Sequence, residues 1–363
     1  MVMRPPIRTK PSGGVGRRAL LLGTALWCAA GATGCSQDTG PSPGSRTAPP
    51  AAGTRTAAGA AAASTSAPAS APASAPASAP SAKLPAPAPW RPGPGEIEPA
   101  VKLAAVRLVE ALGTWPSGRG GPRNAAARAA ALGISGPLAG RLAAQAGPLT
   151  PVADQAVVRV IDAQYGGILP DTASVLIPYT QYTRTGSAVH EGGTTIDVRL
   201  ERTGAGWAVT ALRPGRPGPP AVPLGDSARA VLAQPRIELP PAAAADIRSG
   251  AVHEGVLRAM LRLADSCRVS VSVVRSGHPA NVFGTARPSD HPAGRAFDVW
   301  RIDGRPVVDP ATPRSLVSAF MRAAAAAGSY NVGGPVQLSG GNGANQFFSD
   351  ATHHDHVHIG FAG

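Results

Sequence analysis

The histidines of this chain are concentrated near its carboxyl end, where their spacing could hold a metal ion. Five of the eight lie at or after residue 291, and three elements have metal-site spacing: His291, Asp298 and the segment Asp355-His356-Val357-His358. Two histidines and one carboxylate leave a zinc ion with net positive charge and, in a tetrahedral shell, one open position for water. Zinc lowers the pKa of such a water from about 16 to about 7. The pattern therefore indicates a hydrolytic zinc site.

The residues that follow His291 indicate how the first two candidates would be placed. Pro292 and Gly294 permit a tight turn directly after the histidine. Residues 296–300 then have the alternation of a strand, with Asp298 in the middle. One side of this strand can face a metal ion, so the turn and the strand together would present both ligands.

The closing segment has the spacing of a second strand. His356 and His358 lie two residues apart, so a strand would present both on one face while the residues between and after them enter the core. Strict alternation would turn Asp355 to the opposite face. We therefore expect Asp355 in the loop that enters this strand.

The stretch from Ser289 to Asp298 reads S-D-H-P-A-G-R-A-F-D and resembles the S-x-H-x-x-G-x-A-x-D motif of the LAS-type peptidases. This superfamily includes the D-alanyl-D-alanine carboxypeptidases, related peptidoglycan endopeptidases and the Hedgehog amino-terminal domain. The resemblance implies that His291 and Asp298 bind zinc, and that His358 completes the ligand set from an H-x-H element. All five fixed positions of the first motif match, and the resemblance covers residues 224–363.

Asp355 stands three residues before His358, where many members of this superfamily carry the glutamate that activates water. Some of its peptidoglycan endopeptidases have aspartate there, so the resemblance implies that Asp355 is the general base. His356 can assist by donating a hydrogen bond to the oxyanion of the tetrahedral intermediate, since a protonated imidazole donates from both nitrogens.

The element expected to recognise the substrate departs from the family pattern. Carboxypeptidase members carry S-G-Y-R, whose arginine binds the substrate carboxylate through two parallel hydrogen bonds. This chain reads Arg275-Ser276-Gly277-His278, so Ser276 matches and the following arginine is missing. Arg275 or Arg287 would have to replace it. The resemblance implies peptide bonds of peptidoglycan stem peptides as the substrate, and it leaves the choice between carboxypeptidase and endopeptidase open.

The main alternative is a zinc-stabilised binding lipoprotein of the cell envelope without catalysis. A structural zinc site needs a fourth protein ligand, which His354 or His356 could supply. The Hedgehog domain shows that this scaffold can keep zinc in a binding role. The other three histidines, His190, His253 and His278, lack matched partners in the sequence and are expected at the surface or as satisfied core residues.

The first 34 residues resemble a bacterial lipoprotein signal peptide. Five basic and no acidic residues precede an apolar run from Ala19 to Ala30, and Ala32-Thr33-Gly34 stands before Cys35. The run is too short for a transmembrane helix, which needs about 20 apolar residues. Cleavage would leave Cys35 at the new amino terminus with lipid on its sulfur. We therefore expect an extracytoplasmic protein, lipid-anchored to the outer face of the cell membrane.

The basic balance of the chain does not point to nucleic acid. The net charge of +13 falls to +8 without the five basic residues of the signal peptide. The bases are nearly all arginine amid abundant Ala, Gly and Pro, which is typical of a high-GC genome. Aromatic residues make up 4% of the chain and do not interleave with basic runs, so no nucleic-acid partner is predicted. Anionic lipid headgroups or wall polymers suit this charge better.

The three cysteines predict no disulfide in the mature chain. Cys28 lies in the removed segment, Cys35 would carry lipid, and Cys267 is left alone. Cys267 closes an amphipathic segment, so its expected role is that of a small buried apolar residue.

Composition divides the rest of the chain into four parts. Residues 35–93 are mostly Ala, Pro, Ser, Thr and Gly, which predicts a disordered tether. Residues 94–213 have helical periodicity followed by alternating strands, a pattern that resembles the cystatin-like and nuclear transport factor two-like α+β folds. Residues 214–223 form a Pro- and Gly-rich linker. Residues 224–363 are predicted as an α+β zinc peptidase-like domain built on an antiparallel sheet.

Periodicity and turn residues define the individual elements. Helices are predicted over residues 97–112, within 123–145, and over 252–263 and 312–327. Strands are predicted over residues 155–163, 174–184, 194–202, 207–212, 268–275 and 296–300.

Overall fold

The computed structural model describes residues 83–363. The signal peptide, Cys35 and most of the predicted tether lie outside the described residues. Residues 83–363 belong to one compact unit. This unit contains two hydrophobic cores, one within residues 97–212 and one within residues 224–361. We call residues 84–214 the N-terminal lobe and residues 224–363 the C-terminal lobe.

The N-terminal lobe packs helices against an antiparallel sheet. Its first helix begins at a proline, whose fixed φ suits the first helical turn. Val101, Ala105, Leu108 and Leu112 follow at helical spacing and are fully buried. The elements are helices α1 (Pro99–Gly113), α2 (Pro122–Ala130) and α3 (Gly136–Gln145), and strands β1 (Gln155–Val160), β2 (Gln164–Ile168), β3 (Thr172–Thr185), β4 (Ala188–Gly192), β5 (Thr195–Thr203) and β6 (Gly206–Pro214).

The long strand β3 organises this sheet. The main strand order is β1-β3-β5-β6, and both β2 and β4 pair with β3 as well. Four of these strands were predicted from alternation, whereas β2 and β4 were not. Strand β2 contains Gly166 and Gly167, and β4 is mostly exposed, so neither has an alternating apolar pattern.

The end of the predicted tether lies on the N-terminal lobe. Trp90 packs partly buried against the core of the lobe. Its main-chain N–H donates to Glu110 Oε1 at 2.7 Å. The folded part of the chain therefore begins before residue 94, because the large aromatic side chain of Trp90 within the Pro-rich segment packs on the apolar core of this lobe.

The C-terminal lobe surrounds a second sheet of order β12-β11-β13-β9-β8-β7, with β10 paired to β9. The central pairs are antiparallel, and the outer pairs β7–β8 and β11–β12 are parallel. The elements are helices α4 (Asp226–Ala233), α5 (Pro241–Arg248), α6 (Glu254–Ala264) and α7 (Arg314–Ala326), and strands β7 (Ile237–Glu238), β8 (Val269–Val273), β9 (Ala296–Ile302), β10 (Arg305–Pro306), β11 (Asn331–Gly333), β12 (Phe347–Phe348) and β13 (Val357–Gly360). Both lobes are thus mixed α+β with mainly antiparallel sheets, and helices α4 and α5 were not predicted from the sequence.

Two local details of the C-terminal lobe concern the start of helix α7 and the free cysteine. Helix α7 begins at Arg314, two residues later than predicted: Pro313 occupies the cap position, and the Thr312 hydroxyl donates to the Pro306 carbonyl at 2.6 Å. Cys267 is buried and packs in the core, as expected for a small apolar residue. Burial raises the pKa of its thiol to about 11.

Candidate metal centre

Strand register brings two of the predicted ligands together. Strands β13 and β9 are antiparallel neighbours in which His358 pairs directly with Asp298. Directly opposite residues of such a pair project from the same face, with their Cβ atoms about 5 Å apart. His358 Nδ1 lies 3.0 Å from Asp298 Oδ1 as a result. The predicted strand around Asp298 is therefore present, and Asp355 lies in the bend that precedes β13, as predicted.

A tight turn before β9 brings His291 to the same place. The Gly294 N–H donates to the His291 carbonyl at 2.8 Å, which closes the turn. Gly294 has φ +71, and a Cβ on it would stand 1.9 Å from the Ala251 carbonyl oxygen, so only glycine fits. The His291 ring donates from Nδ1 to the Val274 carbonyl at 2.7 Å. This bond leaves the Nε2 lone pair facing Asp298 and His358.

The three ligand atoms form a nearly equilateral triangle. His291 Nε2 is 3.1 Å from His358 Nδ1 and 3.1 Å from Asp298 Oδ1, and His358 Nδ1 is 3.0 Å from that same oxygen. A tetrahedral ion with ligand bonds of about 2.0–2.1 Å holds its ligand atoms only slightly farther apart. All three side chains are buried.

His278 adds a fourth imidazole to the group. His278, His291 and Asp298 each offer a ligand atom, and these atoms lie within 4.8 Å of one another. The His278 and His291 rings are stacked with centroids 4.0 Å apart. His278 was expected at the surface or as a satisfied core residue. It lies instead in the potential metal group, and no spacing in the sequence indicated this position.

The chemistry of the donor set fits a metal ion. His291 Nε2 and Asp298 Oδ1 are both acceptors here, and only His358 Nδ1 could carry a proton between them. One proton cannot satisfy both acceptors well, whereas a cation accepts lone pairs from all three. Two imidazole nitrogens and one carboxylate oxygen are ligands that first-row transition metals accept.

Burial and neighbouring charges shift the pKa values of the residues around the triangle. Burial by itself would raise the pKa of Asp298, but His291 and His356 outweigh it and hold that pKa well below its usual range. Burial lowers the pKa of His358 to about 4, and burial followed by the charge of His291 lowers that of His278. At neutral pH the centre therefore contains an ionised Asp298 and neutral rings at His358 and His278, which are the protonation states that metal binding requires.

Two residues of the N-terminal lobe reach into this centre. Gln164 of β2 donates from Nε2 to Asp298 Oδ2 at 2.6 Å. Lys102 of α1, fully buried, places Nζ 2.6 Å from Asp355 Oδ2 and also pairs with Glu96. Neither residue was singled out from the sequence. A lysine on the buried side of an amphipathic helix was a usable signal, whereas nothing in the sequence indicates the role of Gln164.

The contacts of Asp355 differ from those expected of a general base. Its Oδ2 faces the Lys102 ammonium and also accepts from the Tyr165 main-chain N–H at 2.9 Å. Its Oδ1 accepts from His356 Nδ1 at 2.6 Å. Burial raises the pKa of Asp355, but Lys102 and His356 overcome this effect and bring it to about 2. Both oxygens are thus occupied within the protein, and the carboxylate is oriented toward His356.

His356 stands between this carboxylate and the ligand triangle. Its Nε2 is 3.9 Å from Asp298 Oδ1, and its side chain is buried. Burial lowers the pKa of His356, but the carboxylates of Asp298 and Asp355 more than offset it, so the pKa is raised. The ring is fixed by Asp355 at Nδ1 and presents Nε2 toward the centre.

A cavity of about 650 Å³ opens beside the triangle. Both lobes line it, and its walls include apolar side chains from β2 and from the loop after His278. Its lining includes His291, His356, His358, Arg287, Ile168 and Phe283. Its size is in the range of pockets for small organic ligands and short peptides.

The predicted substrate-binding residues separate into two groups. Arg287 lines the cavity. Arg275 and Ser276 do not: the main-chain N–H groups of both donate to Asp246 Oδ2, at 3.0 and 2.7 Å, and Arg275 Nε donates to the Pro292 carbonyl. The Arg-Ser-Gly element therefore holds the loop in place. Its N–H groups donate to the buried Asp246 carboxylate and do not face the cavity.

Another histidine of the closing segment also faces the cavity. His353 donates from Nδ1 to Asp350 Oδ1 at 2.7 Å, and its ring centroid is 5.2 Å from that of His356. The neighbouring His354 points elsewhere, with Nε2 2.8 Å from the Gly95 carbonyl. His354 is thus not placed to be the fourth ligand that a structural zinc site would need.

Comparison with known proteins gives no family for this chain. No protein-family model and no curated protein matches it. One solved structure, an NTF2-like protein with a cystatin-like fold from Novosphingobium aromaticivorans, aligns with 18% identity over 24% of this chain and 51% of its own length. The aligned part thus spans about half of that protein. The TM-score is 0.16, so the likeness carries no argument about fold or function.

Proposed function

We propose that this protein is a zinc-dependent peptidase of the LAS type that hydrolyses peptide bonds in peptidoglycan stem peptides. The observation that carries the proposal is the triangle of His291 Nε2, Asp298 Oδ1 and His358 Nδ1, whose members are 3.0–3.1 Å apart beside a large cavity. The ligand types and the motif from Ser289 to Asp298 both favour zinc.

The protein's own residues would divide the work as follows. His291, Asp298 and His358 would hold the zinc ion, which when bound supplies Lewis-acid activation of water and of the scissile carbonyl. Asp355 fixes the tautomer of His356 by accepting from Nδ1. His356 Nε2 is then free to accept a proton from the nucleophile and to donate it later to the leaving amine. Asp355 acts as a positioning residue in this scheme.

The cavity supports a peptide substrate. It extends across both lobes, so an extended chain could lie between them. Arg287 contributes a positive charge to the cavity lining, where it can attract the carboxylates of stem peptides. Apolar side chains such as Ile168 and Phe283 can cover the aliphatic parts of the substrate and exclude water.

The proposal is tested by incubating the zinc-loaded protein with purified muropeptides and separating the products by mass. Release of terminal D-alanine and cleavage of cross-links are both scored, so either peptidase specificity is detected. Activity should disappear with a chelator and return with zinc. A His356→Ala variant should keep zinc and lose about 100-fold or more in rate. A folded, zinc-loaded protein that cleaves no muropeptide would contradict the proposal.

A second candidate function is a zinc-stabilised binding lipoprotein without turnover. The observation that favours it is His278, which lies with His291 and Asp298 in one potential metal group. If His278 supplied a fourth ligand to the triangle, the shell of a tetrahedral ion would be filled, as in structural zinc sites. Spectroscopy with cobalt in place of zinc distinguishes the two candidate functions. Four protein ligands exclude water from the coordination shell of the metal, whereas three leave a position for it.

For the location of the protein we propose a lipid anchor on Cys35 and an extracytoplasmic position. Support comes from the signal-like sequence up to residue 34. Among residues 83–363, no helix combines the length and the apolar character needed to cross a membrane. A Cys35→Ala variant should leave the membrane fraction or accumulate as an uncleaved precursor. Unchanged detergent partitioning of the variant would contradict the anchor.

A further inference from the structure

We propose that the N-terminal lobe completes the metal centre, with Gln164 as a positioning residue for the ligand Asp298. Metal affinity of the C-terminal lobe would then depend on a side chain from the other lobe. This inference rests on the metal-binding part of the proposed function and does not require peptide hydrolysis.

The two oxygens of Asp298 have separate partners. Oδ1 faces His291 Nε2 and His358 Nδ1, the other two corners of the triangle. Oδ2 accepts from Gln164 Nε2 at 2.6 Å. Gln164 is fully buried and Asp298 is 1% exposed, so no bulk water can replace this bond. The amide therefore determines which oxygen of the carboxylate points at the metal position.

The Asp298 carboxylate fixes the orientation of the amide, and a serine of the C-terminal lobe holds the other end of the amide. The Ser272 hydroxyl donates to Gln164 Oε1 and also lies 3.3 Å from the Asp298 main-chain carbonyl. If the amide were flipped, Oε1 would face a carboxylate oxygen, and two acceptors would repel each other. The chain Ser272 to Gln164 to Asp298 thus has one favourable direction of hydrogen bonding.

Strand β2, which carries Gln164, is held against the C-terminal lobe at two further points. The main-chain N–H of Tyr165 donates to Asp355 Oδ2 at 2.9 Å, and that of Ile168 donates to Thr352 Oγ1 at 3.3 Å. Gly167 allows the close approach, because a Cβ there would stand 2.1 Å from Phe283 Cβ. The position of the amide is therefore set by the packing of the lobes and not by Gln164 alone.

Partners that orient a metal ligand typically change metal affinity by about 10-fold to 100-fold when they are removed. A Gln164→Met variant keeps the length of the side chain and loses both hydrogen bonds. We expect zinc affinity, measured by competition with a chromophoric chelator, to fall by about 10-fold to 100-fold. Zinc should also raise the melting temperature of this variant less than that of the wild type.

Gln181→Met is the matched control. Gln181 is also a buried glutamine of the N-terminal lobe, but it donates to the Gly113 and Leu149 carbonyls within that lobe. It should lower the melting temperature and leave zinc affinity within about twofold of the wild type. If Gln164→Met keeps wild-type affinity, or if both variants lose affinity equally, the inference is wrong.

A second pair of variants serves if Gln164→Met does not fold. Ser272→Ala removes only the hydroxyl that holds the Oε1 end of the amide, and Ser270→Ala removes a buried hydroxyl of the same strand that donates to Glu238 Oε2. Ser272→Ala should weaken zinc binding and Ser270→Ala should not; equal affinities of the two would overturn the inference. Zinc binding that depends on Gln164 in a protein without muropeptide cleavage would contradict the peptidase proposal alone. A wild type that binds no zinc would contradict both.

Discussion

Lys102 and Asp355 form a buried ion pair between the two lobes, with Nζ 2.6 Å from Oδ2 and with side-chain exposures of 0% and 3%. The lysine comes from the first helix of the N-terminal lobe and the aspartate from the bend before the last strand. The lysine also contacts Glu96 and lies over the Tyr165 ring. The pair therefore connects packing between the lobes to the orientation of His356, which Asp355 holds through its other oxygen.

Removing the lysine should destabilise the protein strongly. Lys102→Met leaves Asp355 and Glu96 buried without their positive partner, and breaking a buried pair costs about 3–5 kcal/mol. Arg229→Met is the control, since its pair with Asp226 is exposed and should contribute less than about 1 kcal/mol. Urea unfolding of both variants measures the difference. If the two variants have equal free energies of unfolding, the buried pair stabilises the protein no more than the exposed pair does.

Replacing the aspartate tests its positioning role. Asp355→Asn should retain zinc, because the ligand triangle is untouched, yet lose about 100-fold to 10,000-fold in muropeptide turnover. The asparagine can present an N–H to His356 Nδ1 and so favour the wrong tautomer of the ring. Because Lys102 then keeps only Glu96 as a paired carboxylate, the melting temperature should fall as well.

The decisive comparison uses a double variant. If Asp355 acts through His356, Asp355→Asn should cost little further activity in a His356→Ala background, since residues that work as a unit are not additive. Losses that multiply in the double variant would instead indicate that Asp355 acts independently, as a general base in its own right.

The sequence predicted the convergence of His291, Asp298 and His358, and the strands that carry the last two, better than it predicted their surroundings. His291, Asp298 and His358 stand in short motifs whose turn and alternation are local properties, so their convergence followed from register. Lys102 and Gln164 reach the centre only through packing of one lobe on the other, which no local pattern encodes. Asp355 was predicted as the general base from its place in the motif, but its partners Lys102 and Tyr165 come from a distant helix and strand that the motif does not include.

The proposed metal ligands can be ranked by how much zinc affinity each substitution removes. His358→Ala removes one corner of the triangle and should lose metal and activity together. His278→Ala should weaken zinc binding less, because the peptidase proposal needs only three protein ligands. His190 is exposed on β4, and His190→Ala should change neither property. Titration of each variant with zinc gives the affinities. Equal losses for His278→Ala and His358→Ala would favour the four-ligand structural site.

Asp162 gives the protein a predicted pH dependence of stability. It is buried beside the charges of Lys102, Asp355 and Glu96, and burial, only partly offset by Lys102, raises its pKa to about 7. An unfolded aspartate has a pKa of about 3.9. The folded state therefore binds the extra proton between these values, so the contribution of Asp162 to stability is fully present below about pH 4 and is lost as the pH rises through about 7.

Asp162→Asn removes this dependence because asparagine does not titrate. Relative to the variant, the wild type should lose about 1.4 kcal/mol per pH unit between pH 5 and pH 7, and the difference should level off above pH 8. Urea unfolding of both proteins at pH 5, 6, 7 and 8 measures this difference in the free energy of unfolding. The effects of other titrating groups cancel because both proteins contain them. Asp171→Asn, at an exposed aspartate of the same lobe, should run parallel to the wild type. If Asp162→Asn also runs parallel to the wild type across this range, the Asp162 carboxyl is ionised throughout, and the charge of Lys102 outweighs its burial.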